Sequence, residues 1–312
     1  MLRFLLRRLL VIVPTLFLVV TLAFFMMRAA PGSPFSSDRK LSPEIERNVR
    51  ARYGMDRPLL VQYAAYLGGV AHGDFGPSLK YKDKTVAQVI GDGFPRSLTI
   101  GLSALIIAGV VGVTLGVLAA LKQNRLVDYG TMALAVLGVC IPTFVTAPLL
   151  VLVFASRLGW LPTAGWPSAG LGPGAVRYLV LPVAVLALPQ IAIISRLTRA
   201  GMIEVLRSNY IRTAYAKGLS QWVIVFKHAL RPAILPLISY LGPACAGLIT
   251  GSLVVEQIFQ LPGLGRSFVQ GALQRDYTVV MGVVILYASL ILLLNLAADL
   301  VQAALDPRVT LS

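Results

Sequence analysis

The chain has 312 residues, of which 57% are hydrophobic and only 13% charged, and its mean hydropathy is +0.78. That balance excludes an ordinary soluble domain and fits a polytopic, all-α membrane protein. The formal net charge is +15, but the cations lie mainly between and beside apolar runs, which reads as topology charge and contact with membrane lipid; no nucleic-acid partner is expected.

At the N-terminus Arg3, Arg7 and Arg8 precede an apolar run over 9–27. A signal peptide fits poorly, because Arg28 stands where a cleavage site needs a small residue. Residues 1–30 are therefore read as a cytoplasmic N-terminus and a retained first span. Residues 31–97 are polar and read as a small helical periplasmic insertion. Ser42-Pro43-Glu44 starts one helix that Gly54 would end; Pro58 starts a second, closing near Gly73; 85–90 makes a short third. His72 has no second ligand at useful spacing, so no metal site is expected. Cys140 and Cys245 both fall in apolar runs and read as buried small residues rather than a disulfide or metal pair.

Five further uncharged runs cover 98–121, 131–156, 178–195, 233–255 and 278–298. Each is near or above the roughly 20 residues that cross a bilayer. With the first run they give six transmembrane helices and put both termini on one side. Residues 98–312 form a five-helix core that includes a loop at 201–232. Lys122 and Arg125 crowd one tight loop, and Arg207, Arg212, Lys217, Lys227 and Arg231 face the single acid Glu204 in another. The opposite loops are sparser in charge and carry Trp160, Trp166 and Tyr277 as interface anchors. Both termini and the basic loops are thus expected in the cytoplasm. Gly112/Gly116 and Gly247/Gly251 read as close helix packing. Pro142, Pro148, Pro182, Pro189, Pro236 and Pro243 lie in or beside spans and suit kinked helices along a pathway.

Several chemistries are missing. There is no GxxxxGK[ST] phosphate loop, no HExxH and no G-x-S-x-G elbow. No catalytic residues and no bound cofactor are expected. The span interiors hold almost no ionisable side chain; Glu256 and Asp299 sit at span ends. An ATP-independent secondary transporter, the alternative from another class, would need buried carboxylates, and a membrane enzyme a catalytic cluster. The energy for transport is expected from outside this chain.

The stretch 201–236 organises the rest. Ile203, Leu206, Tyr210 and Ala214 recur at spacings of three and four, opposite Glu204, Arg207, Ser208 and Arg212. Gly218 follows Lys217 where a left-handed cap would end the helix. This predicts a short helix over 203–218, a turn, and a return to the membrane near Pro232 and Pro236. A larger side chain at Ala214 would lift the helix off a partner.

Ala214, Gly218, Pro232 and Leu235-Pro236 resemble the cytoplasmic signature loop of ABC importer permeases. Arg212-Thr213-Ala214 departs from the Glu-Ala-Ala of the general pattern and resembles the Arg-Thr-Ala-x-Ala-Lys-Gly of the peptide (oligopeptide and dipeptide) branch. Ala30-Pro31-Gly32-Ser33-Pro34, Tyr53-Gly54, His72-Gly73-Asp74-Phe75-Gly76 and Ser78 are similar to that branch's first external loop. Glu256-Gln257-Ile258-Phe259-Gln260-Leu261-Pro262-Gly263-Leu264-Gly265, with Gly271 and Arg275-Asp276-Tyr277, is similar to its outer-mouth loop. The resemblance covers essentially the whole chain. It implies the type I importer fold and an inner-membrane permease of an ATP-driven, binding-protein-dependent oligopeptide importer. Dipeptides or another small cargo such as nickel complexes are the alternative. The partners it implies are a homologous second permease, two cytoplasmic ATPase subunits that carry ATP and Mg, and a periplasmic peptide-binding protein. It places ATPase coupling at Glu204, Leu206, Tyr210, Arg212, Thr213, Ala214, Ala216, Lys217 and Gly218. Docking of the binding protein falls at Pro262, Gly263, Gly265, Arg275 and Asp276.

Overall fold

The computed structural model describes residues 2–29, 56–81, 83–167, 172, 174–250 and 253–305. The helix expected between Ser42 and Gly54 lies outside them. The described residues are helical, apart from loops and one isolated bridge between Pro77 and Thr85. The longer helices are α1 (Leu2–Ala29), α2 (Leu59–Ala71), α3 (Val86–Leu121), α4 (Leu126–Cys140), α5 (Thr143–Leu150), α6 (Val176–Leu206), α7 (Asn209–Ala216), α8 (Leu235–Thr250), α9 (Leu253–Ile258), α10 (Leu264–Gln274) and α11 (Tyr277–Leu305), with short turns at Gln221–Val223 and Leu230–Ala233. Wider, π-type turns extend α5 over Val151–Arg157 and form Ile224–Ala229 between α7 and α8.

Among the described residues five helical stretches are long and apolar enough to cross a membrane: most of α1, then α3, α6, α8 with α9, and α11. The run 131–156, read as one span, is instead a pair of helices, Leu126–Cys140 and Thr143–Arg157, bent by 103°. Counting the pair as one span gives six. The bend has a local cause. Pro142 lacks an N–H and holds Ile141 extended (ψ 115°), so α4 stops and α5 starts from the Pro142 carbonyl. Likewise 85–90 is no separate helix. It forms the first turns of α3, which runs unbroken into the apolar stretch, with Pro95 inside it.

The chain divides into two compact units. The first comprises residues 1–96 and 262–290. Within it Tyr63 and Tyr66 of α2 pack on Phe24 of α1, and the Thr21 and Tyr63 hydroxyls share a hydrogen bond of 2.7 Å. Val86, Val89, Leu264, Val279 and Val283 form its apolar centre. His72 donates from Nδ1 to the Gly68 carbonyl at 2.8 Å, closing the end of α2. The second unit comprises residues 97–261 and 291–312. Its core is built on α6, with Leu181, Val185, Leu186 and Ile194 packed against Ile100, Ala104 and Ala108 of α3 and Leu237 and Leu248 of α8.

Small residues set the helix spacing in the second unit. A Cβ at Gly112 would overlap the Ile194 side chain, and one at Gly116 would overlap the Ser195 carbonyl and the Thr198 side chain. The first GxxxG step is therefore a packing seam between α3 and α6. The second is not. Gly247 faces open space and Gly251 lies outside the described residues; the close approach on α8 occurs at Gly242, against Ala298. Cys140 also departs from expectation: it is exposed, and Cys245 only half-buried, both as free thiols. An apolar run does not imply burial when the outer face of a span looks to lipid or a partner.

Candidate functional site

At 31 residues α6 is about 46 Å long, longer than the ~30 Å hydrocarbon layer. Its last turns, from Arg199 to Leu206, can therefore stand beyond the apolar slab. The helix stops where the Arg207 and Ser208 amides close back on the Glu204 and Val205 carbonyls. Ser208 is extended (ψ 154°), and its hydroxyl donates to the Val205 carbonyl at 2.6 Å rather than capping the next helix. α7 then runs eight residues. It ends at Lys217 and Gly218, whose φ of +74° lies in the left-handed region. The Gly218 amide bonds the Tyr215 carbonyl at 2.9 Å, and Leu219 reaches Ala214. That is the cap glycine provides at no steric cost.

The predicted helix over 203–218 is thus two pieces. Glu204 and Leu206 belong to the end of α6, and only 209–216 forms the separate helix. The predicted apolar face changes with it. Across the break, Tyr210 is about half-exposed, while Ile211 and Ala214 are 0% and 7% exposed. These two pack into a cluster with Met202 on α6 and with Ile224, Val225, Ala229 and Ala233 on the returning segment. Ala214 therefore faces this chain's own core and not a partner. The outward face of α7 carries Tyr210, Arg212, Thr213, Tyr215 and Ala216, and the turn beyond it exposes Lys217 and Gly218.

Below α7 the structure holds a charge pair that sequence reading missed. Asp128, 1% exposed, takes a two-pronged contact from Arg199, Nε to Oδ1 at 2.5 Å and an Nη to Oδ2 at 2.7 Å. The Asn124 amide donates to the same carboxylate at 2.9 Å. A planar fork against a carboxylate fixes orientation as well as distance, so this pair pins the start of α4 to the end of α6. Arg207 adds a bond of 3.2 Å to Gln123. Nearby, Gly201 lies against the Ala233 backbone with no room for a Cβ. The end of α6 that leads into α7 is therefore held by several contacts.

The second expected site lies in the first unit and divides by burial. Arg275 is exposed and holds a left-handed φ of +60° between α10 and α11. Asp276 is fully buried. It accepts bonds from the Ser78 hydroxyl at 2.5 Å, from the Leu79 and Lys80 amides at 3.2 Å, and from the Val279 amide at 3.2 Å. It caps α11 and holds the 78–80 turn, so its carboxylate is not a docking group. Gly263 and Gly265 are buried as well; Gly93 comes against Gly263 and Leu264 at near-contact distance. Pro262, half-buried, accepts a bond from Arg96 at 3.2 Å.

A family model described as "Binding-protein-dependent transport system inner membrane component" matches residues 112–311, and the N-terminal model of the same kind of component matches residues 1–101. The chain belongs to this permease family. The permease is 52% identical over 309 residues to the oligopeptide transport system permease protein OppB of Salmonella typhimurium, and 51% identical to OppB of Escherichia coli K12. Each match covers 99% of both chains. It is 43% identical to the dipeptide transport system permease protein DppB of Bacillus subtilis, over 100% of this chain and 99% of that one. Among solved structures, the inward-facing MetNI methionine ABC transporter (CY5 native crystal form) aligns with a TM-score of 0.57 at 18% identity, over 70% of this permease and 97% of that chain. An amino acid ABC transporter crystallised with histidines aligns at 0.54 and 16%, over 70% and 94%. These two show the fold. The permease is a multi-pass inner-membrane protein with the fold of type I ABC importer permeases.

Proposed function

We propose that this permease forms half of the translocation path of an oligopeptide importer and receives its energy through α7. The observation that carries the coupling role is the division of α7 itself. Ile211 and Ala214 lock one face into the core, while Tyr210, Arg212, Thr213, Tyr215 and Lys217 remain outside, and the end of α6 that leads into α7 is tied to α4 by the Asp128–Arg199 pair. A partner pushing on the exposed face moves the ends of α6 and α8 with it. The oligopeptide cargo is supported by the full-length match to OppB relatives. The dipeptide reading, supported by the lower identity to DppB, is the second choice.

In this account the termini and α7 lie in the cytoplasm, as the basic loops favour. The chain binds no cofactor; ATP and Mg sit on two ATPase subunits. A second, homologous permease completes the path, and a peptide-binding protein docks outside, with Pro262 and Arg275 near the contact and Asp276, Gly263 and Gly265 shaping the loop beneath. ATP binding closes the ATPases, α7 follows, and the spans switch from inward- to outward-open. Hydrolysis resets them. Nucleotide shifts the equilibrium only by its differential affinity for the two states, and that difference reaches this chain through the α7 contact.

The test is to purify the permease from its native membrane in mild detergent and identify what comes with it. The expected result is a second permease and two ATPase subunits, with hydrolysis stimulated by a peptide-loaded binding protein. A lone chain that transports in vesicles without ATP would contradict the proposal.

A further inference from the structure

Between the last turns of α3 and the segment returning from α7 runs an apolar groove of about 370 Å3. Val113, Val117, Leu118 and Leu121 form one wall, and Trp222 and Phe226 the other. The one hydroxyl of α3 in the lining, Thr114, donates to the Val110 carbonyl at 2.7 Å, and Gln221 is the polar residue of the opposite wall. Leu121 ends α3 and is followed by Lys122-Gln123-Asn124. The groove therefore follows about 12 Å of the end of a helix apolar enough to span. An apolar lining at the end of such a helix suits an acyl chain better than a water-borne peptide.

Its rim is basic. Lys122, Arg125, Lys227 and Arg231 are all exposed and neighbour groove-lining residues or their loop. No Asp or Glu occurs in 113–127 or in 219–234. Among the described residues Lys122, Lys227 and Arg231 make no ion pair. Asp128, the acid just beyond, is already held by Arg199. Trp222, 74% exposed, stacks flat on Phe226 with centroids 5.1 Å apart. An exposed Trp packed beside the end of a span, as Trp222 is beside Leu121 in the groove, suits the headgroup level.

We propose that this groove is a binding site for one anionic phospholipid, with an acyl chain along Val117, Leu118 and Phe226 and the phosphate among Lys122, Lys227 and Arg231. A zwitterionic lipid would fill the groove and leave the cations uncompensated. A neighbouring subunit's apolar helix would have no use for a basic rim. The opposite wall also carries Val225, which packs in the same cluster as Ile211 and Ala214 of α7. Lipid in the groove therefore steadies the seat of α7. That consequence rests on the proposed coupling role; the binding itself does not.

The probe is phosphatidylglycerol, quantified by mass spectrometry on the assembled transporter purified in mild detergent. Each cation near an anionic surface strengthens binding on the order of fivefold. The variant carrying Lys122→Gln, Lys227→Gln and Arg231→Gln together should therefore lose at least about tenfold of its retained phosphatidylglycerol while keeping neutral lipid. Leu118→Trp, which leaves every charge in place, should displace both. Unchanged phosphatidylglycerol in both variants would overturn the proposal. So would a disulfide crosslink from Leu118→Cys to a second subunit in intact membranes. If the triple variant fails to assemble, the wild-type complex decides. In nanodiscs of phosphatidylcholine, adding phosphatidylglycerol should increase amide-exchange protection over 221–230, and identical protection with and without it would refute the site.

Discussion

Gly218 sits at the one point in the α7 loop where backbone conformation alone dictates the residue. A Cβ there would meet nothing within 4 Å, so space is not the constraint; the φ of +74° is. An L-residue in that region costs about 1–2 kcal/mol, more when β-branched. Gly218→Val is expected to leave the protein in the membrane and to uncouple transport, read as basal ATPase activity retained with peptide uptake lost. Normal uptake would remove the turn from the mechanism. Asp128 makes a different claim. Asp128→Asn strands the Arg199 guanidinium beside a neutral amide, and removing one partner of such a pair costs about 3 kcal/mol. The expected signature is a lower unfolding temperature of the detergent-solubilised permease, with Arg199→Lys intermediate because it keeps the charge and loses the fork. An unchanged transition would mean the pair is not structural. At Ala214, 7% exposed, a Leu overfills the cluster and should cost about 1–3 kcal/mol.

At the scale of the element, α7 is too short to be stable alone and depends on its buried face. Ile211→Ala removes the fully buried anchor and is expected to cost about 2–4 kcal/mol. Amide exchange over 209–216 should accelerate while the middle of α6 stays protected. Equal acceleration in both would show that α7 and α6 open as one unit. How far the sequence revealed this element follows from the same physics. The turn was legible because a glycine after a cation is a local signal. The break at Arg207–Ser208 was not. Ile203, Leu206, Tyr210 and Ala214 keep their spacing straight through it, and periodicity cannot see a helix end closed by backbone amides and a hydroxyl turned back onto the preceding carbonyls. The inward face was consequently assigned to Tyr210 where Ile211 takes it. The bend at Pro142 was hidden for a related reason: a continuous apolar run reports hydrophobicity and carries no direction.

Across the molecule, six apolar runs and the basic loops made the class readable, and the branch signature made the family readable. Pairings between distant residues were beyond reach. Asp128 and Arg199 lie 71 residues apart, and nothing local marks either as buried. Asp276 sits next to Arg275 in what reads as a polar loop, yet one carboxylate is the cap of α11 and its neighbour is solvent-facing. Burial of a charge is a property of the assembled fold, set by the amides that converge on it. In the proposed mechanism the exposed face of α7 is where the ATPase subunit engages this permease. The most direct measurement is site-specific crosslinking in membranes, in a background where Cys140 and Cys245 are replaced by Ser. Tyr215→Cys should form a crosslink to an ATPase subunit whose yield changes with nucleotide, and Ile211→Cys, buried on the opposite face, should form none. Crosslinking from neither position, with an assembled and active transporter, would contradict the claim and place the coupling contact elsewhere on the chain.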